Sequence, residues 1–255
     1  MSQTSTLITV DSGTDNPAIF CTKIKDCTIS VPAKIALVDL SISTAIKNVY
    51  KPYNAMSISN AITGYQKVVH IPEGRYTLIN DLVMAINQSI ESISCGSSIL
   101  FSLTDSGRVH VKISDEKPFQ LSFKRLFANM LGFDNLSVSH NDIGNKPINL
   151  AFSIPNLIFI YTDTVQESVL SNVAVKLLKI ISISQYHKQM LLRSSFPIYH
   201  QIGFKQYIPL IHRSNIDSIS LELRTIYGEL VQFEKNCDKT IATLSLENSA
   251  TPDFV

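Results

Sequence analysis

The sequence has few charged residues, few glycines and no tryptophan. Asp, Glu, Lys and Arg make up 17% of its 255 residues, against about 25% in an average soluble domain. Nine glycines and ten prolines exclude a collagen-like or flexible-linker protein. A hydrophobic content of 45% at a formal net charge of +1 excludes a disordered chain, because disordered chains have too little apolar surface to bury. The chain therefore folds, but with fewer charges than a surface fully open to water usually carries.

The motifs of common nucleotide-binding and catalytic sites are also missing. The sequence contains neither GxGxxG nor GxxxxGK(S/T), whose glycines let backbone amides approach phosphate groups. GxSxG, HExxH and the EF-hand loop are absent as well, and the six histidines are scattered along the chain. We therefore expect no enzymatic activity and no cofactor.

The cysteines and the hydrophobic runs exclude further classes. Cys21, Cys27, Cys95 and Cys237 have neither CxxC spacing nor neighbouring paired histidines, so we expect no metal site and no disulfide framework, and we interpret the four as buried free thiols. No apolar run is long enough to cross a membrane. Met1–Thr6 has no basic segment and no apolar run, so no secretory signal is expected.

The residues that are abundant favour β-structure. Isoleucine and serine are the most frequent residue types; the first is typical of strands, and the second suits turns and solvent-facing strand positions. Strict alternation predicts a hairpin with strands at 99–103 and 109–113 around the turn Thr104–Gly107. It also predicts strands at 219–223 and 241–246, the second with a phase slip that indicates a β-bulge.

Three further runs are apolar on both faces: 35–40, 157–161 and 173–183. Runs of this kind are typical of central strands or of strands buried at an interface.

Two segments have helical periodicity instead. Apolar residues recur at intervals of three and four over 77–93, with Thr77 placed as an N-cap, and again over 123–131, where Gly132 follows as a helix terminator. The order of elements predicts an all-β protein: one β-sandwich domain over residues 1–255, carrying an excursion with two short helices and a hairpin between about residues 70 and 135.

One stretch of the neutral chain is locally basic. No acidic residue occurs between Glu167 and Asp217, whereas the stretch contains Lys176, Lys179, Lys188, Arg193, Lys205 and Arg213. Such a stretch could face nucleic acid or an acidic partner. Alternatively, neighbouring strands supply carboxylates after folding, which the wide spacing of these residues favours.

Four segments carry motifs that recur together, in this order, in one known family. Residues 71–87 (IPEGRYTLINDLVMAIN) contain a Pro-Gly-Tyr turn leading into a helix, and 130–133 (MLGF) a Leu-Gly-Phe signature. Residues 160–181 (IYTDTVQESVLSNVAVKLLKII) contain a Tyr-x-Asp-x-Val-x strand followed by a hydrophobic Leu-Leu-basic strand. Residues 207–246 contain the terminal strand pair with a Gly-Glu-x-Val-x-Phe turn.

Together these segments resemble the penton, or minor capsid, protein of the Polinton/Maverick, adintovirus and virophage lineage. The sequence differs from that pattern at Glu167, where a proline is expected, and at Ser171–Asn172, where Gly-Asp is expected. Thr225–Tyr227 stands where relatives have Asp-Asp-Thr. Residues 1–69 show no specific match.

The resemblance implies a single jelly roll that forms homopentamers at the fivefold vertices of an icosahedral shell, among double jelly-roll major capsid proteins. It implies a structural virion protein that is made inside the host cell and is not secreted. A charge-poor surface agrees with a subunit whose neighbours bury much of it. Because each subunit of a cyclic assembly presents two different patches, we expect subunit contacts among these residues: Tyr161, Val165, Leu170, Tyr227, Gly228, Glu229 and Phe233. Each of them could equally belong to the core.

Two other functions remain open from the sequence. A jelly roll could instead be a receptor- or glycan-binding module, although the lack of tryptophan lowers that expectation. The basic stretch 176–213 could contact nucleic acid weakly, with the interleaved tyrosines providing stacking surfaces.

Overall fold

The computed structural model describes residues 5–13, 16–24, 33–93, 98–114, 119–170, 172–211 and 216–248. The chain forms two compact units. The first contains Met1–Ile46 and Pro155–Val255, and the second is Lys47–Ile154. The second unit is thus inserted in the sequence of the first.

The strands and helices of both units are numbered here along the chain. They are β1 (Ser5–Asp11), β2 (Ile19–Lys23), β3 (Ala33–Ile42), β4 (Ala55–Asn60), β5 (Tyr65–His70), α1 (Ile79–Glu91), β6 (Ile99–Leu103), β7 (Val109–Ile113), β8 (Gln120–Phe123), α2 (Arg125–Leu131), β9 (Ser137–Val138), β10 (Leu157–Thr162), β11 (Ser168–Leu170), β12 (Val173–Val175), β13 (Leu177–Ser182), α3 (Gln185–Arg193), β14 (Ile198–Gln201), β15 (Ile208–Pro209), β16 (Ser218–Arg224) and β17 (Ile241–Asn248).

The first unit is a jelly roll. One antiparallel sheet has the order β1-β17-β3-β14, with β15 pairing beside β3, and the other has the order β13-β10-β16-β2. Without β15, the two sheets contain eight strands, and these pair from the outside of the sequence inward. The pairs are β1 with β17, β2 with β16, β3 with β14 and β10 with β13. This nested pairing is the jelly-roll topology of two sheets joined by Greek-key connections. The predicted all-β, single jelly-roll fold is confirmed.

The alternating pattern places the core between the two sheets. In β16, Ile219, Leu221 and Leu223 are fully buried while their neighbours are half-buried, as expected of a strand with one face in the core. The phase slip near the C-terminus is a register shift between Thr243 and Leu244 in the pairing of β17 with β3, so the predicted bulge is confirmed.

Of the three runs that are apolar on both faces, two are central strands. The runs 35–40 and 157–161 form β3 and β10, each with strands on both sides. The run 173–183 is divided instead: it forms β12, which pairs with β11 in a separate hairpin, and β13, which lies at the edge of its sheet. This run is therefore not one central strand, and the alternative of strands buried at an interface stays open.

The inserted unit contains the predicted hairpin, β6 with β7, and a sheet of order β5-β4-β8-β9. Helix α1 buries Leu82, Val83, Ile86 and Ile90, as its periodicity predicts. The assignment of Thr77 as N-cap was wrong: Leu78 occupies that position and makes no side-chain capping bond.

Gly132 ends α2 as predicted, and it does so with a left-handed backbone at φ 86°. A Cβ atom there would lie 2.0 Å from the carbonyl oxygen of Lys146, so both the backbone conformation and the close approach require glycine. Residue Phe123, which belongs to the same periodic pattern, lies in β8 instead of the helix.

The inserted unit is wider than the excursion expected at 70–135. The reason lies in strand pairing: β4 pairs with β8, so that Met56 lies opposite Phe123, and Val49 bridges to Gly74. Segments on both sides of 70–135 therefore belong to the same unit, which extends from Lys47 to Ile154.

A third helix, α3, was not predicted. It follows Ser184, whose hydroxyl oxygen accepts a hydrogen bond from the backbone N–H of His187 at 3.2 Å. Its residues QYHKQMLLR contain no long apolar stripe, and the residues it buries are Lys188 and Leu191. Within the described ranges, no helix has the length and apolar character needed to span a membrane.

The cysteines differ from expectation in one respect. Cys21 is exposed on β2 and Cys237 is half-buried, and both are free thiols. The prediction of burial was therefore wrong for Cys21. Cys27 and Cys95 lie outside the described residues.

Candidate assembly surfaces

The residues expected at a subunit contact on the β10 side divide into core and surface. Tyr161 is half-buried and lies opposite Glu222 on the outer face of its sheet, whereas Ile160 beside it points into the core. Val165 is fully buried and bridges to Leu210. In this conformation Tyr161 can contact a neighbouring molecule, and Val165 is a packing residue.

The turn between β16 and β17 presents apolar side chains on a rigid frame. Tyr227 is 79% exposed and Ile226 is 64% exposed. The turn is closed by bonds from the backbone N–H of Thr225 to the carbonyl of Glu229 at 2.7 Å, and from the N–H of Gly228 to the carbonyl of Thr225 at 3.0 Å. A single exposed apolar residue is common on protein surfaces. Two adjacent ones in a hydrogen-bonded turn form a small apolar patch that another molecule could cover.

Of the other members of that turn, Gly228 is exposed, Glu229 is half-buried and Phe233 is buried. Gly228 has a left-handed backbone at φ 77°, and its carbonyl accepts a hydrogen bond from Nη1 of Arg224 at 2.6 Å. Phe233 is buried and bridges to Ile46, so it packs inside the first unit.

Among the described strands of the first unit, β11 and β12 form a hairpin that pairs with neither of the two large sheets. Ser168 pairs with Val175, Val169 with Ala174 and Leu170 with Val173, and among the described strands these two pair only with each other. All described residues of the hairpin are exposed or half-buried. Val169 is 78% exposed and Val173 is 60% exposed, although the hairpin carries no charge.

The basic residues of 176–213 do not form one uniform surface. Lys176 and Lys179 are half-buried, Arg193 and Lys205 are exposed, and Arg213 lies outside the described residues. Within the part of the chain that the structure describes, the side chains of these four basic residues make no ion pair. The alternative that neighbouring strands supply carboxylates to these four side chains is therefore not supported within the described residues.

Lys188 differs from the other basic residues because it is buried in α3. Burial lowers the pKa of its amino group, since the charged form loses hydration. It is therefore not available to a partner as a surface charge.

Sequence reasoning missed a pair of histidines that the fold brings together. The rings of His187 on α3 and His200 on β14 have centroids 5.1 Å apart. Nδ1 of His187 and Nε2 of His200 are buried, and neither has a hydrogen-bond partner among the described residues. Burial, together with repulsion from His187, lowers the pKa of His200. No local pattern indicates this pair, because thirteen positions and a change of element separate the two.

The structure was also searched for metal-binding clusters. Among the residues it describes, no three His, Cys, Asp or Glu side chains lie close enough together to hold a metal ion.

Comparison with known proteins gives similarity at the level of three-dimensional structure. No protein-family model and no curated protein sequence matches the chain. The crystal structure of the selenomethionine-labelled mavirus penton protein matches with a TM-score of 0.54 and 13% identity, covering 98% of this chain and 100% of that one. The cryo-EM structure of the Sputnik virophage matches with a TM-score of 0.49 and 13% identity, covering 96% and 98%. The chain thus has the fold of the mavirus penton protein over nearly its whole length, which agrees with the resemblance found in the sequence.

Proposed function

We propose that this chain is a structural protein of an icosahedral virus capsid. In this proposal five copies form the vertex, which contacts double jelly-roll major capsid proteins, and the protein resides in the virion. The role is assembly rather than catalysis: apolar burial at subunit contacts supplies affinity, and polar rims set the register.

The observation that carries the proposal is the structural match to a penton protein over 98% of this chain and 100% of that one. A jelly roll alone hosts many functions, but here the match includes the inserted unit as well as the sandwich. The four sequence segments that resemble the penton lineage support the same conclusion independently of the coordinates.

The surface supports an assembly role. Apart from the turn and the hairpin described above, Phe196 and Phe204 are 81% and 80% exposed. Phenylalanine is enriched at interfaces relative to the rest of the surface, so these two side chains are candidates for subunit contacts on a chain with 17% charged residues.

Sedimentation velocity of the purified chain tests the self-assembly part. We expect a species with five times the mass of the monomer, in equilibrium with smaller ones at low concentration. The substitution Tyr227→Asp should shift the equilibrium toward monomer if the turn takes part, and Ile62→Asp provides a control, since Ile62 is equally exposed at 80% in the inserted unit. Co-expression with the major capsid protein of the same genome, followed by electron microscopy, tests the vertex. A chain that stays monomeric at high concentration and does not join such shells contradicts the proposal.

A second candidate function is contact with nucleic acid, favoured by the basic residues that lack ion pairs among the described residues. Binding to DNA should then weaken steeply with salt, because phosphate contacts release counterions. The triple substitution of Lys179, Arg193 and Lys205 by Ala should reduce the slope of log affinity against log salt by about 0.9 per lost contact. The matched control is the substitution by Ala of Lys67 and Lys112, which are exposed in the inserted unit. An unchanged slope in the triple variant contradicts this function.

A receptor- or glycan-binding module is the remaining alternative. Binding to a glycan array by the assembled protein would support it.

A further inference from the structure

The β11–β12 hairpin lacks the interior that a stable β-structure normally has. Ser168, Leu170, Val173 and Val175 share one face, and Val169 and Ala174 share the other. Both faces are thus apolar, and no described residue of the hairpin is buried. A two-stranded hairpin alone is marginally stable in water, and an uncharged segment rich in valine is prone to pair with other strands. Its composition suits a hairpin that another surface covers.

The opposite side of the same sandwich has a complementary feature. Strand β1 is the outermost strand of one sheet and β2 that of the other, and the two are neighbours. Each therefore has an open backbone edge among the described strands. Natural edge strands are usually protected by charges, prolines or bulges. Here β1 (STLITVD) is uncharged up to Asp11, β2 (IFCTK) is uncharged up to Lys23, and Leu7 and Ile19 are exposed at 62% and 40%.

The positions of these two features fit a head-to-tail contact. The hairpin leads directly into β13, and β13 and β14 are the edge strands on the side of the sandwich opposite to β1 and β2. One molecule thus carries an uncharged apolar hairpin on one side and an uncharged open edge on the other. A contact between unlike patches of identical chains gives a ring if the rotation between copies closes, and a filament if it does not.

We propose that the β11–β12 hairpin is an assembly arm that packs against the β1–β2 edge of a second copy of this chain. The inference rests on the self-assembly in the proposed function and deepens it by naming the two contacting surfaces. A second copy is the occupant that the chain itself favours, because both halves of the contact are present in each molecule. The hairpin is uncharged, and the charges of the edge, Asp11 and Lys23, lie at the last positions of β1 and β2. Eight hairpin residues are fewer than the roughly 20–30 residues per side of a stable interface, so other residues on the arm's side of the sandwich have to take part in the contact.

Two variants and their mixture test the proposal. Val173→Asp places a charge on the arm, and Leu7→Asp places one on the edge. Each side chain is exposed in the single chain, so each variant should fold with an unchanged circular dichroism spectrum. Each alone should raise the concentration for half-assembly by about tenfold or more, because an unpaired charge would be desolvated at the contact. Ile62→Asp is the control and should assemble like the unmodified chain.

The mixture distinguishes this contact from a general loss of solubility. The Leu7→Asp chain retains an intact arm and the Val173→Asp chain an intact edge, so a mixture of both can form one intact contact per pair and no closed ring. Sedimentation equilibrium should show dimers in the mixture and monomers in each separate sample.

Three results would overturn the inference. If the unmodified chain assembles and both variants assemble equally well, the arm and the edge are not the contact, although the capsid proposal survives. If each variant is monomeric but the mixture contains no dimer, the two surfaces do not meet each other. If the unmodified chain does not self-associate at all, the inference and the self-assembly on which it rests both fail.

Discussion

The amide of Asn87 provides the sharpest test of how the inserted unit is held together. Its Oδ1 accepts a hydrogen bond from the backbone N–H of Phe101 at 2.9 Å, and its Nδ2 donates to the carbonyl of Phe101 at 2.8 Å. Phe101 lies opposite Val111 in the β6–β7 hairpin, and the N–H of Val111 is bonded to Asp142 instead. The backbone groups of Phe101 therefore point away from β7, and the side chain on α1 satisfies them as a further strand would.

The substitution Asn87→Ala removes both hydrogen bonds. Each is worth about 1 kcal/mol net, and a buried donor or acceptor left without a partner costs about 1–3 kcal/mol more. Asn87 is half-buried, so water can partly replace it, and we expect a loss of roughly 2–3 kcal/mol in the free energy of unfolding. In a unit of roughly 100 residues this corresponds to a fall of about 10–20 °C in Tm.

A matched control is available on the same helix. Asn80 is exposed, and its side chain makes no hydrogen bond among the described residues. Asn80→Ala gains the same helix propensity as Asn87→Ala, so the difference between the two variants isolates the contact with Phe101. Urea unfolding measures the free energies, and hydrogen exchange at the Phe101 amide reports the bond directly. Equal stability of the two variants, with the Phe101 amide still protected, would refute this reasoning.

Two further predictions follow from the structure. Gly132→Ala should lower the free energy of unfolding by more than about 2 kcal/mol, because of the left-handed backbone at this position and the clash of the new Cβ with Lys146. Gly64→Ala is the control, because a Cβ there would have no atom within 4 Å. In the same urea titration, the Gly64 variant should lose much less stability. The free energy of unfolding should fall as pH drops below about 6.5, because His200 binds a proton in the unfolded chain but not in the native one, where its pKa is lowered. In the His200→Phe variant, Tm should depend less on pH over this range. A pH dependence of Tm equal to that of the unmodified chain would count against this prediction.

Periodicity predicted the elements whose burial is one-sided. The β6–β7 hairpin, the bulge in β17 and the buried stripe of α1 all follow from the spacing of apolar residues, because a strand or helix with one face in the core repeats every 2.0 or 3.6 residues. Helix α3 was missed because only part of a short helix packs, which leaves no repeat to detect. The inclusion of β4 in the inserted unit depends on its pairing with β8, which no local repeat indicates.

The candidate surfaces depended more on tertiary structure. Val165 and Tyr227 were both expected at a subunit contact, but one is fully buried and the other is 79% exposed. Spacing cannot separate them, since exposure depends on whether another segment, here Leu210 bridging to Val165, covers the side chain.

By itself the sequence determined that this chain folds into β-rich structure with a charge-poor surface, because composition and local periodicity set which residues can be buried. Its motifs also pointed to the penton lineage. Only the tertiary structure decided the nested jelly-roll pairing, in which β1 meets β17 from the other end of the chain. It also decided which apolar residues stay outside, on the β11–β12 hairpin and on the opposite edge. Both depend on contacts between segments distant in sequence, and the energies of such contacts leave no local pattern.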